Sequence, residues 1–215
     1  MKVLGIYGCG GAGRESKEIA ELIGDWEELV FIDDAFSNDF FKGIRRLNHD
    51  EFVSEYSNAD AEIVISLGEP ELKVKIYEKL DREGYHFANL IHPSATISPS
   101  SKLGQGLILK PHALISSDAV VGNNVSIEEN GIVGHDSVVE DHCQISANVV
   151  IAGGCHIGRA TYIGLSVPIK QGSNIGANTI IGMGSVVLRD IPDNVIAMGN
   201  PARPMKNKDN SRVFG

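Results

Sequence analysis

A histidine beside a carboxylate is the part of this chain best suited to chemistry. His135 and Asp136 are adjacent, and eighteen residues on from His135 begins Gly153-Gly154, the one glycine pair within residues 97–192. An imidazole that titrates near neutrality suits removal of a proton from an amine or a hydroxyl. A carboxylate at its side fixes the ring tautomer and stabilises the imidazolium. A glycine set against the ring leaves open space and a backbone N–H able to steady a carbonyl as negative charge develops on it. The plain alternative is a solvent-exposed His–Asp pair at a corner. The remaining histidines offer less: His49 and His86 are expected at the surface, and His92, before Pro93, in a structural role. Of His112, His142 and His156, only His142 has a carboxylate next to it in sequence, Asp141.

What brings His135 and Gly153 together is a repeat. From Ile97 through Leu103, Leu109 and Ile115 to Val187, sixteen positions spaced by six are all Ile, Val or Leu. Glycine often follows this beat, and two residues before it stands a small or modest side chain such as Ala113, Ser137, Cys143, Cys155 or Thr161. A period of six is not helical, and so many glycines would melt a helix. It is the signature of a parallel β-helix, three hexads closing one triangular coil, with roughly five coils between residues 97 and 192. Eighteen residues per coil place Gly153 directly over His135, and Asp136 falls at a corner, where both side chains can reach one site. Cys143 and Cys155 have inward phase on different faces, so they read as small buried side chains, neither a disulfide nor a metal pair.

Before the repeat the chain alternates strand and helix. Residues 2–7, 29–32 and 62–66 read as strands, 14–23 and 69–83 as helices, and 87–91 as a last short strand. This is a small α/β unit with a parallel sheet, and the expected division is residues 1–90 and 91–215. Gly8-Cys9-Gly10-Gly11-Ala12-Gly13 carries the G-x-G-x-x-G fingerprint after a strand and before a helix, with Asp33 twenty residues beyond the loop. The fingerprint also suits a nicotinamide dehydrogenase. Yet the unit is only half of a dinucleotide fold and a β-helix follows it, so a nucleotide-linked substrate fits better. Backbone N–H groups at the helix start can hold a phosphate, and Asp33 or Asp34 a ribose or base. A Gly-rich turn without a ligand is the third reading.

The 215 residues carry a formal net charge of −9 with no basic run, which argues against a nucleic-acid partner. No stretch approaches the ~20 apolar residues of a membrane span, and the start is too short for a signal segment. A cytoplasmic location is expected.

The hexad ladder, Gly134-His135-Asp136 and the late Gly199-Asn200-Pro201-Ala202-Arg203 together resemble a known family. These are the hexapeptide-repeat acetyltransferases with an N-terminal nucleotide-sugar domain, which include nucleotide-linked aminosugar N-acetyltransferases and sialic acid O-acetyltransferases. The resemblance runs from Gly8 to about Lys206. It implies a left-handed β-helix, acetyl-CoA as cosubstrate without a metal, and a homotrimer with acetyl-CoA lying between neighbouring β-helices. It implies His135 as catalytic base and Asp136 as its partner acid. For acetyl-CoA it implies Gln144, Gly153, Gly164, Lys170 and Gly182. For the nucleotide-linked substrate it implies Gly8, Gly10, Gly11, Gly13, Asp33, Asp34 and Gly68. The expected reaction is N-acetylation of a nucleotide-linked amino-deoxysugar, with O-acetylation of a sialic acid or related sugar as the alternative. The chain departs from the family in two places. Relatives often have a histidine where this chain has Ala12, and many have one where it has Gln144.

Overall fold

The computed structural model describes residues 2–35, 39–208 and 213. Alternating apolar and charged segments fold residues 3–87 as β1 (Val3–Tyr7), α1 (Gly11–Ile23), β2 (Glu28–Ile32), β3 (Asp39–Phe41), β4 (Ile44–Leu47), α2 (His49–Glu55), β5 (Ala61–Ile65), α3 (Pro70–Arg82) and β6 (His86–Phe87). The sheet order is β3-β4-β2-β1-β5-β6, parallel except for the β3–β4 hairpin. β1 is buried along its whole length, as expected for a central strand covered on both faces. β3, β4 and α2 occupy a stretch to which the sequence pattern assigns no element. β4 carries Arg45 and Arg46, which hide its strand character, and α2 is only seven residues long, started by a capping box between Asn48 and Glu51.

From Leu90 onward the backbone winds as a parallel β-helix of two-residue strands in three ladders. The first runs through Leu90–Ile91, Ile108–Leu109, Ser126–Ile127, Gln144–Ile145, Tyr162–Ile163 and Ile180–Ile181. The second runs from Thr96–Ile97 to Pro168–Ile169, and the third from Lys102–Leu103 to Asn174–Ile175. Registers such as Ile127↔Ile145 and Val133↔Ile151 repeat at the eighteen-residue coil length. The beat residues from Leu109 to Val187 are essentially inaccessible to solvent and form one continuous core. Polar residues two before the beat also point inward and satisfy themselves on backbone carbonyls: Ser137 Oγ donates to Ala152 O at 2.9 Å and Thr161 Oγ1 to Gly176 O at 2.7 Å. Every sixth residue turns a corner at positive φ, and Asp118, Asn124, Asn130, Asp136, Asn148 and Asn178 fill several of these positions. Asn and Asp tolerate that conformation best among residues with a side chain.

The ladder begins one beat earlier than the sequence pattern suggests. The expected single strand at 87–91 is two: Phe87 pairs with Ile63 in the α/β sheet, whereas Ile91 pairs with Leu109 in the first ladder. The apolar run is continuous in sequence, so only the pairing partners reveal the change of sheet. At the far end the repeat shortens, since Ile181 pairs with Ala197, and Val195–Met198 with Arg203–Asn207 closes the stack as an antiparallel pair.

The α/β unit sits on the first ladder. Ile19 and Ala20 of α1 share a core with Leu4, Ile6, Leu90 and Ile108. The seam also holds buried polar groups. Lys110 reaches Glu15 of α1, and fully buried Lys73 of α3 donates to Ser126 Oγ at 2.9 Å and to Cys143 O at 3.4 Å. Desolvation lowers the Lys73 ammonium to a pKa of about 7. Tyr77 of α3 meets His142 edge-on at 5.0 Å, and burial lowers that imidazole to about 4.

Candidate active site

His135 lies two residues past the beat residue Val133, on the corner between the second and third ladders. Asp136 takes the positive-φ position of that corner (φ 58°), which turns its carboxylate back toward the ring. His135 Nδ1 and Asp136 Oδ2 are 2.8 Å apart. With the carboxylate as acceptor, Nδ1 carries the hydrogen and Nε2 is left with its lone pair outward. The coil above meets the ring at Gly153. A Cβ built there would lie 2.4 Å from both Cε1 and Nε2 of His135, so only glycine lets the imidazole rest against the backbone. Gly154 N–H bonds His135 O at 2.7 Å and holds the two coils in register. Exposed Lys170 stands on the same corner, one coil above Ala152.

The other expected residues separate into groups. Gly164 and Gly182 lie on a different corner, between the first and second ladders, and a Cβ at Gly164 would meet Met183 N at 2.6 Å. Close coil stacking therefore accounts for Gly164. Gln144, which the resemblance assigns to acetyl-CoA, lies on the first ladder. It is buried, and its Nε2 donates to Glu128 Oε1 at 2.8 Å. With Ala12, Ser66, Gly68, Lys110 and Glu128 it lines a small cavity of about 20 Å³ under the α/β unit. Its outward strand position in the domain-facing ladder directs it there.

The Gly-rich loop has the expected build. Gly8 has φ +101°, and a Cβ on Gly13 would lie 2.0 Å from Gly8 O, so the turn and the close packing of α1 both require glycine. Positions around Gly10 are open, and no side chain caps the start of α1. The start of α1 follows the carboxyl end of β1, which lies beside β5, the place where open α/β sheets bind ligands. Asp33 and Asp34 are partly committed to the protein itself. Asp33 Oδ2 accepts from Cys9 N at 3.3 Å and Sγ at 3.0 Å. Asp34 Oδ2 accepts from Tyr7 Oη at 2.5 Å and Oδ1 from His49 N at 3.0 Å. Burial and the Asp34 bond hold the Tyr7 phenol far above its ordinary range.

Two histidines depart from expectation. His49 is buried and pairs with Glu83 at 3.1 Å, because α2, unseen in the sequence pattern, carries it inward. His156 does have a carboxylate, Glu140, at 2.9 Å from the coil below. That offset is sixteen residues, so sequence adjacency conceals it. The pair borders an open groove of about 580 Å³. It differs from His135 in that no glycine packs on the ring: the Cβ position of Gly158 is blocked by Ala177 and Gly176 backbone. Cys143 and Cys155 are buried free thiols, and burial pushes Cys143 up to about 12, which disfavours a thiolate. Among the described residues the one grouping of metal-capable ligands is Glu15, Glu128 and Glu129, and Lys110 is already paired to Glu15 and Glu128.

Residues 3–80 match the family model described as the PglD N-terminal domain. The acetyltransferase domain of PglB from Neisseria gonorrhoeae superposes with a TM-score of 0.90 at 29% identity, covering 94% of this chain and 99% of that one. The perosamine N-acetyltransferase of Caulobacter crescentus, solved as a mutant in complex with CoA and GDP-perosamine, gives 0.89 at 28% identity over 95% and 97% of the two chains. The chain thus resembles acetyltransferases, one of them solved with GDP-perosamine, over nearly its whole length. Its β-helix is accordingly the left-handed form, the exception to the right-handed crossover rule. A curated relative, the UDP-N-acetylbacillosamine N-acetyltransferase of Bacillus subtilis (strain 168), is 30% identical over 113 residues, 51% of each chain. The alignment thus spans about half the length of that curated relative. The two departures noted in the sequence, Ala12 and Gln144, meet at a small cavity between the α/β unit and the first ladder.

Proposed function

We propose that this chain transfers the acetyl group of acetyl-CoA to the amino group of a nucleotide-linked amino-deoxysugar. Residues 1–90 present the nucleotide and residues 91–215 carry out the transfer. The observation that carries the reading is His135, with Asp136 on Nδ1 and Gly153 packed against Nε2 from the coil above. The substrate amine attacks the thioester carbonyl carbon as His135 Nε2 takes its proton. The oxyanion is met by the Gly153 N–H, which makes no backbone hydrogen bond of its own. The C–S bond then breaks, and His135 returns the proton to the departing CoA sulfur. Asp136 keeps the ring in the tautomer that leaves Nε2 basic. Exposed Lys170, on the same corner, suits a CoA phosphate. Two of the relatives named above, from Bacillus subtilis and Caulobacter crescentus, are N-acetyltransferases of nucleotide amino sugars, which favours N-transfer over O-acetylation of a sialic acid.

The assembly is a homotrimer with active sites between subunits. Two observations support it. The second ladder turns Leu114, Ile132, Val150 and Pro168 outward, with Val150 40% and nearby Leu165 45% exposed. Within one chain, moreover, the nucleotide loops overlie the first ladder, while His135 stands on the corner between the other two. Among the described residues no helix is long and apolar enough to cross a membrane. Three free thiols and a cosubstrate made in the cytoplasm support a cytoplasmic enzyme. The test is thiol release from acetyl-CoA with a panel of nucleotide-linked 3-amino and 4-amino sugars and free sialic acid. Turnover on the amino sugars is expected, and turnover on sialic acid alone would overturn the proposal.

A further inference from the structure

The first turn of α3 is tied down from three directions. Gly68 precedes it, Glu69 is its N-cap residue without a side-chain cap bond, and Pro70 opens the helix. From inside, Lys73 reaches Ser126 on the first ladder. From outside comes the segment that follows the closing strand Arg203–Asn207. Lys208 is 1% exposed. Its backbone N–H bonds Asn194 O at 2.8 Å, and its Nζ bonds Asn178 Oδ1 at 2.5 Å and lies 3.2 Å from Glu71 Oε1 on α3. Beyond it, Val213 N–H donates to Glu69 Oε2 at 2.8 Å. Asn178 is itself held at a corner of the last full coil, where its Nδ2 donates to Asn194 Oδ1 at 2.8 Å.

We infer that Lys208 is a positioning residue for the nucleotide side of the substrate. It spans from a rigid corner of the β-helix to the turn that carries Gly68 and Glu69. A buried ammonium with one carboxylate partner holds a fixed separation, because losing either partner leaves an uncompensated charge in the seam. Gly68 lines the cavity shared with Ala12 of the Gly-rich loop, so the angle of α3 sets how that loop pair faces the first ladder. Lys208 touches neither His135 nor the Gly153 corner and has no part in proton transfer. The substrate half of this inference rests on the acetyltransferase reading. The mechanical half, that Lys208 holds the α3 turn, does not.

The test uses Lys208→Met, Glu71→Gln and their combination in the full chain. Glu71→Gln alters a partly exposed side chain and remains informative if Lys208→Met fails to fold. Amide hydrogen exchange across residues 69–73 should quicken in each single variant, and no further in the double. KM for the nucleotide amino sugar should rise about tenfold, with kcat and the KM for acetyl-CoA within about twofold, the pattern of lost substrate binding without lost chemistry. Unchanged exchange in both single variants would overturn the positioning role. A fall in kcat at constant KM would overturn the assignment to the nucleotide side. If wild-type protein turned over no member of the sugar panel, the acetyltransferase reading would fail, while the exchange result would still decide whether Lys208 holds α3.

Discussion

Replacing Gly153 by alanine should disable the enzyme while leaving its fold nearly untouched. The added methyl would lie 2.4 Å from Cε1 and Nε2 of His135, and ordinary contact begins at 3.4 Å, so the ring must retreat by about 1 Å. The ring can do so cheaply: its side chain is 60% exposed, and the corner backbone does not need to move. Gly153 is not among the positive-φ glycines, so alanine fits its backbone and restricts the unfolded chain, a gain of about 0.4–1 kcal/mol. Loss of the exposed His135–Asp136 bond costs at most about 1 kcal/mol, and the two effects offset each other. Catalysis has no such compensation, because a displacement of about 1 Å at a reacting group can cost about 10²-fold.

The assay is steady-state thiol release with acetyl-CoA and the best nucleotide amino sugar, run beside thermal unfolding. We expect kcat to fall about 10²-fold with KM for the sugar near wild type and a melting temperature within a few degrees. Gly154→Ala is the matched control. Its φ of +66° strains any residue with a Cβ, but no atom lies within 4 Å of the new methyl. It should lose roughly 1–2 kcal/mol of stability and keep most of its activity. If Gly153→Ala retained kcat/KM within threefold of wild type, the contact between Gly153 and the imidazole would have no catalytic meaning.

Other outcomes follow from the same geometry. His135→Ala should lower kcat by about 10²–10⁴-fold with little change in sugar KM, measured by the same thiol release; a loss within a few-fold would remove His135 as the base. Lys73→Met should stabilise the protein near pH 7 in chemical denaturation. The folded pKa is about 7 against 10.5 for the free side chain, so stability associated with neutral Lys73 is full above pH 10.5 and lost as pH falls toward 7, by up to about 5 kcal/mol. Wild type should therefore gain stability from pH 7 to about 9, and the variant should lack that gain. His142 behaves in the same direction lower on the scale. Its folded pKa of about 4 lies below the ordinary 6.5, so the seam it shares with Tyr77 should weaken as pH falls from about 6.5 to 4, and His142→Gln should remove that dependence from the unfolding curve.

How much of this was legible beforehand depended on whether a feature is written along the chain or across it. The β-helix was legible because its rule is local and repeated: one inward aliphatic per hexad and a fixed coil length. That coil length placed Gly153 over His135 before any coordinate was known, and it placed Cys143 and Cys155 on separate faces. The Gly8–Gly13 loop was legible for a similar reason, since steric demands at Gly8 and Gly13 permit one residue type. What escaped lies across the chain. Glu140 reaches His156 over sixteen residues, Asp34 is taken up by Tyr7 and His49, and His49 is buried by a short helix with no strong apolar period.

Gln144 shows the limit most clearly. The resemblance assigns it to acetyl-CoA, and nine residues past His135 along a triangular coil lead to an adjacent wall. Which wall is decided by the α/β unit, which covers the first ladder and turns Gln144 toward Glu128 and the substrate loops. Linear spacing thus locates a residue on the β-helix, but the domain packed against each face determines what that residue meets. The same reasoning separates the chemistry into two halves within one chain. The proposed proton-transfer corner rests on the stacking of Gly153 over His135, whereas the proposed sugar side depends on how firmly α1 and α3 are held to the first ladder. Substitutions at Gly153 should accordingly alter kcat, and substitutions at the α3 clamp should alter sugar KM, with the two effects adding independently in combined variants.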